Sequence, residues 1–148
     1  MKIKGVKYDL WRAVDHKGEV LQSFVSKRRN RKAASRFLRK SLRRHGLAET
    51  IVTDRLASYG SALKVLGAID KREVGRWLNN RAENSRQPFR RRERAMLRFR
   101  LMRSLQKFAA PHGSIYNRFN QERTLTSRAS FKERRTAALT EWRQLCAV

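Results

Sequence analysis

The sequence predicts an α/β protein in which a mixed sheet is flanked by helices and the C-terminal part is helical. Three observations support this prediction: strand-like alternation near the N-terminus, a change to helical spacing after it, and helical spacing over most of the second half. Strands, then strands alternating with helices, then helices are typical of a sheet with helices packed on it. Because 148 residues suit one domain of ordinary size, we expect 1–148 to form a single domain.

The N-terminal segment is predicted to form a β-hairpin. Val6, Tyr8 and Leu10 alternate with polar residues, which is the period-two pattern of a half-buried strand. Residues 15–18 are turn formers, and residues 19–26 supply the apolar run expected of a returning strand.

The middle of the chain alternates between helix and strand signals. Residues 29–44 place apolar side chains on one helical face and basic side chains around the other. Residues 51–53 form a short apolar run that predicts a buried strand with Asp54 at its C-terminal end. A helix is expected over 58–66, whereas 67–76 is only weakly patterned.

The second half of the chain is predicted to be helical. Helical spacing returns over 78–108, and Pro88 is expected to break or kink it. Two further helices are expected over 114–121 and 130–142.

The charge of the chain indicates its partner class. Thirty-seven Lys and Arg stand against twelve Asp and Glu, which gives a formal net charge of +25. A compact body with that charge repels itself unless a polyanion neutralises it, so nucleic acid is the expected partner. A membrane surface is the other polyanion considered, but no apolar run approaches the roughly 18 residues that a membrane span needs.

Other classes are excluded by what the sequence lacks. The chain shows no signal-peptide pattern and no lipidation signature, so we expect a cytoplasmic protein without a membrane partner. The single Cys146 rules out a disulfide scaffold and a cysteine-rich zinc site.

Two of the twelve acidic residues stand out as candidate metal ligands. Asp54 follows an apolar strand directly, and Glu83 lies near the start of a helix. A strand-end Asp and a helix Glu can converge on one Mg²⁺, which prefers oxygen ligands and keeps several waters. On spacing alone the structural explanation is the stronger one, because Asp54 can cap the next helix and Glu83 can pair with neighbouring arginines.

The local sequences around these residues favour the functional explanation. The relevant segments are Ile-Val-Thr-Asp at 51–54, Ser-Tyr-Gly at 58–60, Leu-Asn-Asn-Arg-Ala-Glu-Asn-Ser at 78–85 and Arg-Arg-Arg-Glu-Arg at 90–94. In this order they resemble bacterial insertion-sequence transposases of the DDE superfamily and, more narrowly, the insertion sequence six family. Three more segments fit the same family, so the resemblance covers nearly the whole chain: 11–15, 26–30 and 116–120.

The resemblance implies a ribonuclease-H-like fold and assigns the second and third catalytic carboxylates of the DDE triad to Asp54 and Glu83. It also implies that these two carboxylates hold Mg²⁺, or Mn²⁺ in its place, and that the substrates are transposon-end and target DNA. Arg86 departs from the pattern, because related proteins often carry His there, which weakens any proton-handling role at this position.

The first carboxylate of the triad has no counterpart in the sequence. In the family it opens an Asp-Glu-Thr-Tyr segment just ahead of the stretch that resembles 2–5, and here the chain begins at Met1. Asp15 matches a different family position and is interpreted as a turn residue. We therefore expect an N-terminally truncated domain, or a start assigned too late, with weak metal binding and little or no activity.

A basic segment follows Glu83. Residues 86–103 hold eight arginines and one acid, Glu93. Arginine forks suit phosphate oxygens, although a solvated helix face is the alternative. The residues expected to contact DNA are Arg86, Arg90, Arg91, Arg92, Arg94 and Arg98.

Two functions remain open at this point. The leading interpretation is a transposase catalytic domain for Mg²⁺-dependent DNA strand transfer in insertion-sequence transposition, truncated and weakly active or inactive. The alternative is a non-catalytic basic nucleic-acid-binding protein. Beside DNA, the partners considered are a second copy of the chain and full-length transposase subunits, in the cytoplasm and at the nucleoid when DNA is bound.

Overall fold

The computed structural model describes residues 1–75, 77–96, 99–120 and 125–147. These residues form an α/β structure with a helical C-terminal part, which confirms the predicted class. The elements are β1 (Lys2–Ile3), β2 (Val6–Lys7), β3 (Asp9–Val14), β4 (Val20–Ser26), α1 (Arg31–His45), β5 (Ile51–Thr53), α2 (Ala57–Val65), β6 (Arg72–Val74), α3 (Asn80–Ala95), α4 (Met102–Phe119) and α5 (Arg128–Cys146).

The predicted hairpin is formed by β3 and β4, which pair antiparallel with Trp11 opposite Phe24. At its turn, Asp15 Oδ1 accepts hydrogen bonds from the backbone N–H groups of Lys17 and Glu19, at 2.9 and 2.8 Å. This geometry confirms the turn role predicted for Asp15, since Asp side chains stabilise turns by bonding to nearby backbone N–H groups.

The described strands form three separate pairs: β1 with β2, β3 with β4, and β5 with β6. The predicted single mixed sheet is not seen in the described part of the chain, because no strand there belongs to more than one pair. The ribonuclease-H-like arrangement therefore stays a prediction. Strand β6, parallel to β5, lies in the segment that was only weakly patterned in sequence.

The hairpin has a hydrophobic cluster on each face, because successive strand residues point to opposite sides. On one face Trp11 packs with Phe37 of α1 and Tyr59 of α2, and its ring meets that of Tyr59 edge to face at 5.4 Å. On the other face Val25 packs with Phe89 of α3 and with Leu105 of α4. Both faces of β3–β4 are thus covered by helices.

Two predicted helix boundaries are wrong. The helical stretch predicted over 78–108 is divided between α3, which ends at Ala95, and α4, which begins at Met102, so the helix does not break at Pro88, which lies inside α3. The helix expected over 114–121 is the C-terminal part of α4, which continues through Pro111. Proline removes one intrahelical hydrogen bond, but burial of an apolar face can offset that loss. In α3 this face includes Phe89, which is fully buried. Helix α5 confirms the last predicted helix, and Arg118 of α4 forms an ion pair with its Glu141.

His112 on α4 lies among aromatic rings. Its imidazole is 5.1 Å from the Phe89 ring and 5.4 Å from the Phe108 ring, measured between centroids. Burial, together with the positive charges of Arg12 and Arg92, lowers the pKa of His112 to about 4. The folded protein therefore holds this histidine neutral at pH 6, where the histidines of an unfolded chain are largely protonated.

The free energy of unfolding should therefore fall as the pH drops from about 6.5 to about 4. Over this range His112 binds a proton in the unfolded chain but stays neutral in the folded protein. Solvent screens the half-buried ring, so we expect a loss of about 1 kcal/mol, or about 2 to 4 °C in Tm. The change His112→Gln should remove this part of the pH dependence in thermal melts between pH 7.5 and pH 4.5. The matched change at exposed His16, His16→Gln, should leave the pH dependence of Tm unchanged. Equal slopes of Tm against pH for the two variants would contradict the role given to His112.

Candidate functional site

Asp54 lies directly after β5, as predicted. Its carboxylate accepts a hydrogen bond from Arg29 Nη2 at 2.6 Å and another from the backbone N–H of Leu56 at 3.1 Å. Leu56 is the N-cap residue of α2, so Asp54 also orders the chain that enters this helix. The carboxylate is thus at the predicted strand end and already carries a positive partner.

Glu83 lies in the first turn of α3, also as predicted. Glu83 is exposed, and its Oε1 accepts a hydrogen bond from Asn79 Nδ2 at 3.4 Å. A carboxylate in the first turn is favoured by the partial positive charge of the helix N-terminus. The ion pairs found within the described residues do not include Glu83, so the pairing with arginine considered from the sequence is not seen there.

A cleft of about 450 Å³ separates β3 from β5, and we call it the interstrand cleft. Its lining includes residues 12–16 and residues 50–54. Helices α1 and α2 contribute Phe37, Leu38 and Tyr59. Helix α3 contributes Arg81, Ala82 and Arg86, and its N-cap residue Asn79 also lines the cleft.

Asp54 and the first turns of α3 therefore face one cleft, although Glu83 itself is not among its lining residues. Burial and the charge of Asp54, partly opposed by Arg86 and Arg29, raise the pKa of Tyr59 in this cleft to about 12. Tyr59 is thus a neutral hydrogen-bonding group at any physiological pH.

The predicted DNA-contacting arginines separate into two groups. Arg90, Arg91, Arg92 and Arg94 are exposed on α3. Arg86 is half-buried and lines the interstrand cleft instead, with its Nε buried and unpaired. Arg98 lies outside the described residues.

Sequence reasoning missed Arg12, which is 3 % exposed in the centre of β3. A lone cation inside the apolar run of residues 10–14 was the signal available for it. The basic face predicted for α1 is confirmed, and it lines a groove of about 620 Å³ near Val65. Its basic residues are Arg31, Lys32, Arg36, Arg39, Lys40 and Arg43.

A family model described as a DDE domain matches residues 1–122. The chain belongs to this DDE transposase family. Asp54, Glu83 and the exposed arginines of α3 all lie inside the matched region, whereas α5 lies beyond it. No curated protein and no solved structure matches the chain.

Membership of the DDE transposase family confirms the broader resemblance and a transposition-related function. None of the helices in the described part of the chain is long and apolar enough to cross a membrane.

Members of the DDE transposase family typically use a divalent metal ion. The acidic residues of this chain can therefore be compared with the ligands that such an ion requires. Mg²⁺ needs nearly octahedral oxygen coordination. Across the described ranges, no group of three or more His, Cys, Asp or Glu side chains could hold a metal. Asp54 is paired with Arg29 and Glu83 is exposed, so these residues supply an incomplete ligand set.

Freeing Asp54 from its ion pair should improve Mg²⁺ binding. We expect Arg29→Gln to increase the Mg²⁺-dependent rise in Tm, because the carboxylate then loses its competing cation. The ion pair itself is partly exposed, so its loss should cost only about 0 to 1 kcal/mol. Differential scanning fluorimetry with NaCl at matched ionic strength measures the specific effect.

The control for this experiment is Arg28→Gln, which removes an exposed neighbouring charge from the same segment. The double change Asp54→Asn and Glu83→Gln should abolish any shift that Mg²⁺ produces beyond NaCl. If the double variant responds to Mg²⁺ as the native chain does, these carboxylates are not metal ligands.

Proposed function

We propose that the chain is a DNA-binding member of the DDE transposase family that takes part in insertion-sequence transposition and has little or no strand-transfer activity of its own. The observation that carries the proposal is the row of exposed arginines on α3, about two to three turns beyond Glu83. DNA held against these arginines would pass the two carboxylates to which the family resemblance assigns the chemistry.

The geometry of α3 favours a phosphate-binding role for its outer face. Ser85, Phe89 and Glu93 are buried along one side of the helix. Glu93 is only 7 % exposed, so the outer face presents Arg90, Arg91 and Arg94 without a neighbouring surface carboxylate on this helix segment. Arginine contacts with phosphates carry no sequence information, so we propose binding to duplex DNA with little sequence preference.

Weak strand transfer follows from the incomplete ligand set. Two-metal phosphoryl transfer uses metal ions to activate the attacking oxygen and to stabilise the leaving oxygen. Errors of about 1 Å in placing such groups already cost about 100-fold in rate. With Asp54 held by Arg29 and Glu83 held only by Asn79, the described residues position neither carboxylate for that task.

The narrower assignments form part of this proposal. They are membership of the insertion sequence six family, a ribonuclease-H-like single domain over 1–148, Mg²⁺ or Mn²⁺ as a weakly bound cofactor, and a cytoplasmic location at the nucleoid. Protein partners would be a second copy or full-length transposase subunits. The local sequence segments within the family match support these assignments.

A non-catalytic nucleic-acid-binding protein is the second candidate function. The observation that favours it is the ion pair between Asp54 and Arg29, which gives this carboxylate a structural role without any metal.

The first test is the salt dependence of DNA binding. Replacing Arg90, Arg91 and Arg94 by Gln should lower the slope of log K against log[salt] by about 2 to 3, because each phosphate contact contributes about 0.9. Fluorescence anisotropy with a short duplex between 50 and 200 mM salt measures the slope. The control removes the same charge from α5, by replacing Arg128, Arg135 and Arg143 with Gln. If the two triple variants lose equal slope, the footprint is not on α3.

The second test is strand transfer itself. We expect the purified chain to join no defined transposon end to target DNA with either Mg²⁺ or Mn²⁺, because its described carboxylates form an incomplete metal site. A gel assay with labelled end DNA and a plasmid target measures joining. Robust joining that Asp54→Asn abolishes would refute the proposed low activity and would establish Asp54 as catalytic.

A further inference from the structure

The basic face of α1 is formed by the Lys and Arg residues that line its groove. All of them are exposed, on the side of the helix opposite to the buried residues Ala34, Phe37 and Leu38. Asp and Glu are absent from the sequence between Glu19 and Glu49. This face therefore carries positive charge along about three turns of helix, with no carboxylate from its own segment beside it.

The charges on this face repel one another. Several of them are four residues apart along the helix, as Lys32, Arg36 and Lys40 are, and like charges at this spacing destabilise a helix. None of the ion pairs found in the described part of the chain includes a residue of α1. The compensation must therefore come from an anion outside the chain.

The length of the basic face fits a polyanion with closely spaced charges. Arg31 and Arg43 lie about 18 Å apart along the helix axis, at about 1.5 Å per residue. Over that length duplex DNA carries about ten phosphate charges, one for every 1.7 Å or so of its axis. The groove beside the face has a volume of about 620 Å³ and is also lined by Val65 of α2. The cations of α1 can thus meet several successive phosphates.

The composition of the face favours a duplex over other polyanions. Proteins that bind single strands stack the bases on aromatic side chains, but Phe37, the one aromatic residue of α1, is 3 % exposed. A helix that lies in a membrane surface inserts its apolar face, but the apolar face of α1 is packed with Trp11 and Tyr59. The face therefore offers contacts to phosphates, without a stacking platform and without an apolar surface to insert.

The β3–β4 hairpin lies between this face and the exposed arginines of α3. Helix α1 packs with Trp11 on one side of the hairpin, whereas Phe89 of α3 packs with Val25 on the other. Each helix turns its apolar side toward the hairpin, so the two basic faces point in opposite directions. A duplex bound on one face leaves the other face uncovered.

We propose that the basic face of α1 is a second duplex-DNA-binding surface, so that one chain holds two duplexes on opposite sides of the β3–β4 hairpin. The inference rests on the proposed function for the duplex on α3, whereas the α1 surface can be tested by itself. Phosphate contacts carry no sequence information, so the second duplex is also bound with little sequence preference. A chain of this kind brings two separate DNA segments together without another protein.

The two surfaces differ in strength. The three arginines on the outer face of α3 each present a planar fork that matches a phosphate, whereas the face of α1 includes Lys32 and Lys40, which are point charges. A duplex at low concentration therefore fills α3 first, and the α1 surface is filled when the duplex is in excess.

Lysine modification locates the second duplex in the native chain. Lys32 and Lys40 lie on the basic face of α1, and exposed Lys132 on α5 serves as the reference in the same sample. With a short duplex at about ten times its Kd for α1, acetylation of Lys32 and Lys40 should fall about tenfold, because about one site in eleven stays free. Acetylation of Lys132, measured by mass spectrometry alongside, should change little.

Substitutions measure how much the face contributes to DNA binding. The α1 variant has Gln at four positions of the face, which are Arg36, Arg39, Lys40 and Arg43. The α5 variant is the matched control and loses the same number of exposed arginines and lysines, with Gln in place of Arg128, Lys132, Arg135 and Arg143. Gln forms helices about as well as Arg and Lys, and the α1 changes remove like-charge pairs, so the α1 variant should melt no lower than the native chain.

Two measurements compare these variants. With excess duplex at about 50 mM salt, sedimentation should find two duplexes on each native chain and on each α5 variant, but one on each α1 variant. The salt dependence is measured in the chain that already has Gln in place of Arg90, Arg91 and Arg94. There the α1 changes should lower the slope of log K against log[salt] by about 3 to 4, because each phosphate contact contributes about 0.9. The α5 changes should leave that slope nearly unchanged.

Three results would overturn the inference. They are two duplexes on the α1 variant, equal protection of Lys132 and the two lysines of α1, and equal loss of slope from the α1 and α5 changes. Phosphatidylserine vesicles and single-stranded DNA are the probes for competing occupants. If either probe protects Lys32 and Lys40 where the duplex does not, the face is not a duplex-binding surface.

Failure of the proposed function gives a different result. If the α3 changes leave two duplexes bound while the duplex still protects Lys32 and Lys40, the DNA-binding role of α3 is refuted and the α1 surface is supported. If the α3 changes remove one duplex and the α1 changes remove none, the role of α3 stands and the α1 surface is refuted.

Discussion

The burial of β3 on both faces is the constraint on which the rest of the structure depends. Trp11 and Arg12 are neighbours in sequence, yet they are 2 % and 3 % exposed on opposite sides of the hairpin. Trp11 fixes α1 and α2 through Phe37 and Tyr59, whereas Arg12 reaches α3 by its hydrogen bond to the Ser85 carbonyl. One strand thus positions α1 and α3, which carry the basic faces described above, and α3 also carries Glu83.

This arrangement separates two kinds of positive charge. Arg90, Arg91 and Arg94 remain on the surface, where water and counterions solvate them and a phosphate backbone can replace those counterions. Arg12 and Arg86 lie in the interstrand cleft, where desolvation leaves polar atoms without partners. The same residue type therefore occupies two environments, one open to water and counterions and the other desolvated.

Family membership and local geometry address different questions. The DDE domain match establishes descent and a transposition-related role. The contacts of Asp54 and Glu83 describe what these carboxylates do in this chain: one pairs with Arg29 and orders the entry to α2, and the other accepts from Asn79 at a helix N-terminus. Function in transposition can rest on DNA and protein contacts even where the ligand set for the chemistry is incomplete.

The sequence by itself determined the α/β class, the hairpin, α1, β5 and the placement of Asp54 and Glu83, because these depend on local periodicity and on recognisable motifs. Tertiary structure alone decided the continuity of α3 through Pro88, since burial of Phe89 offsets the lost hydrogen bond. It also decided the pairing of β6 with β5 and the burial of Arg12 and Arg86, which arise from contacts between segments distant in sequence. Periodicity reports which face of an element is apolar, but not which other element will cover it.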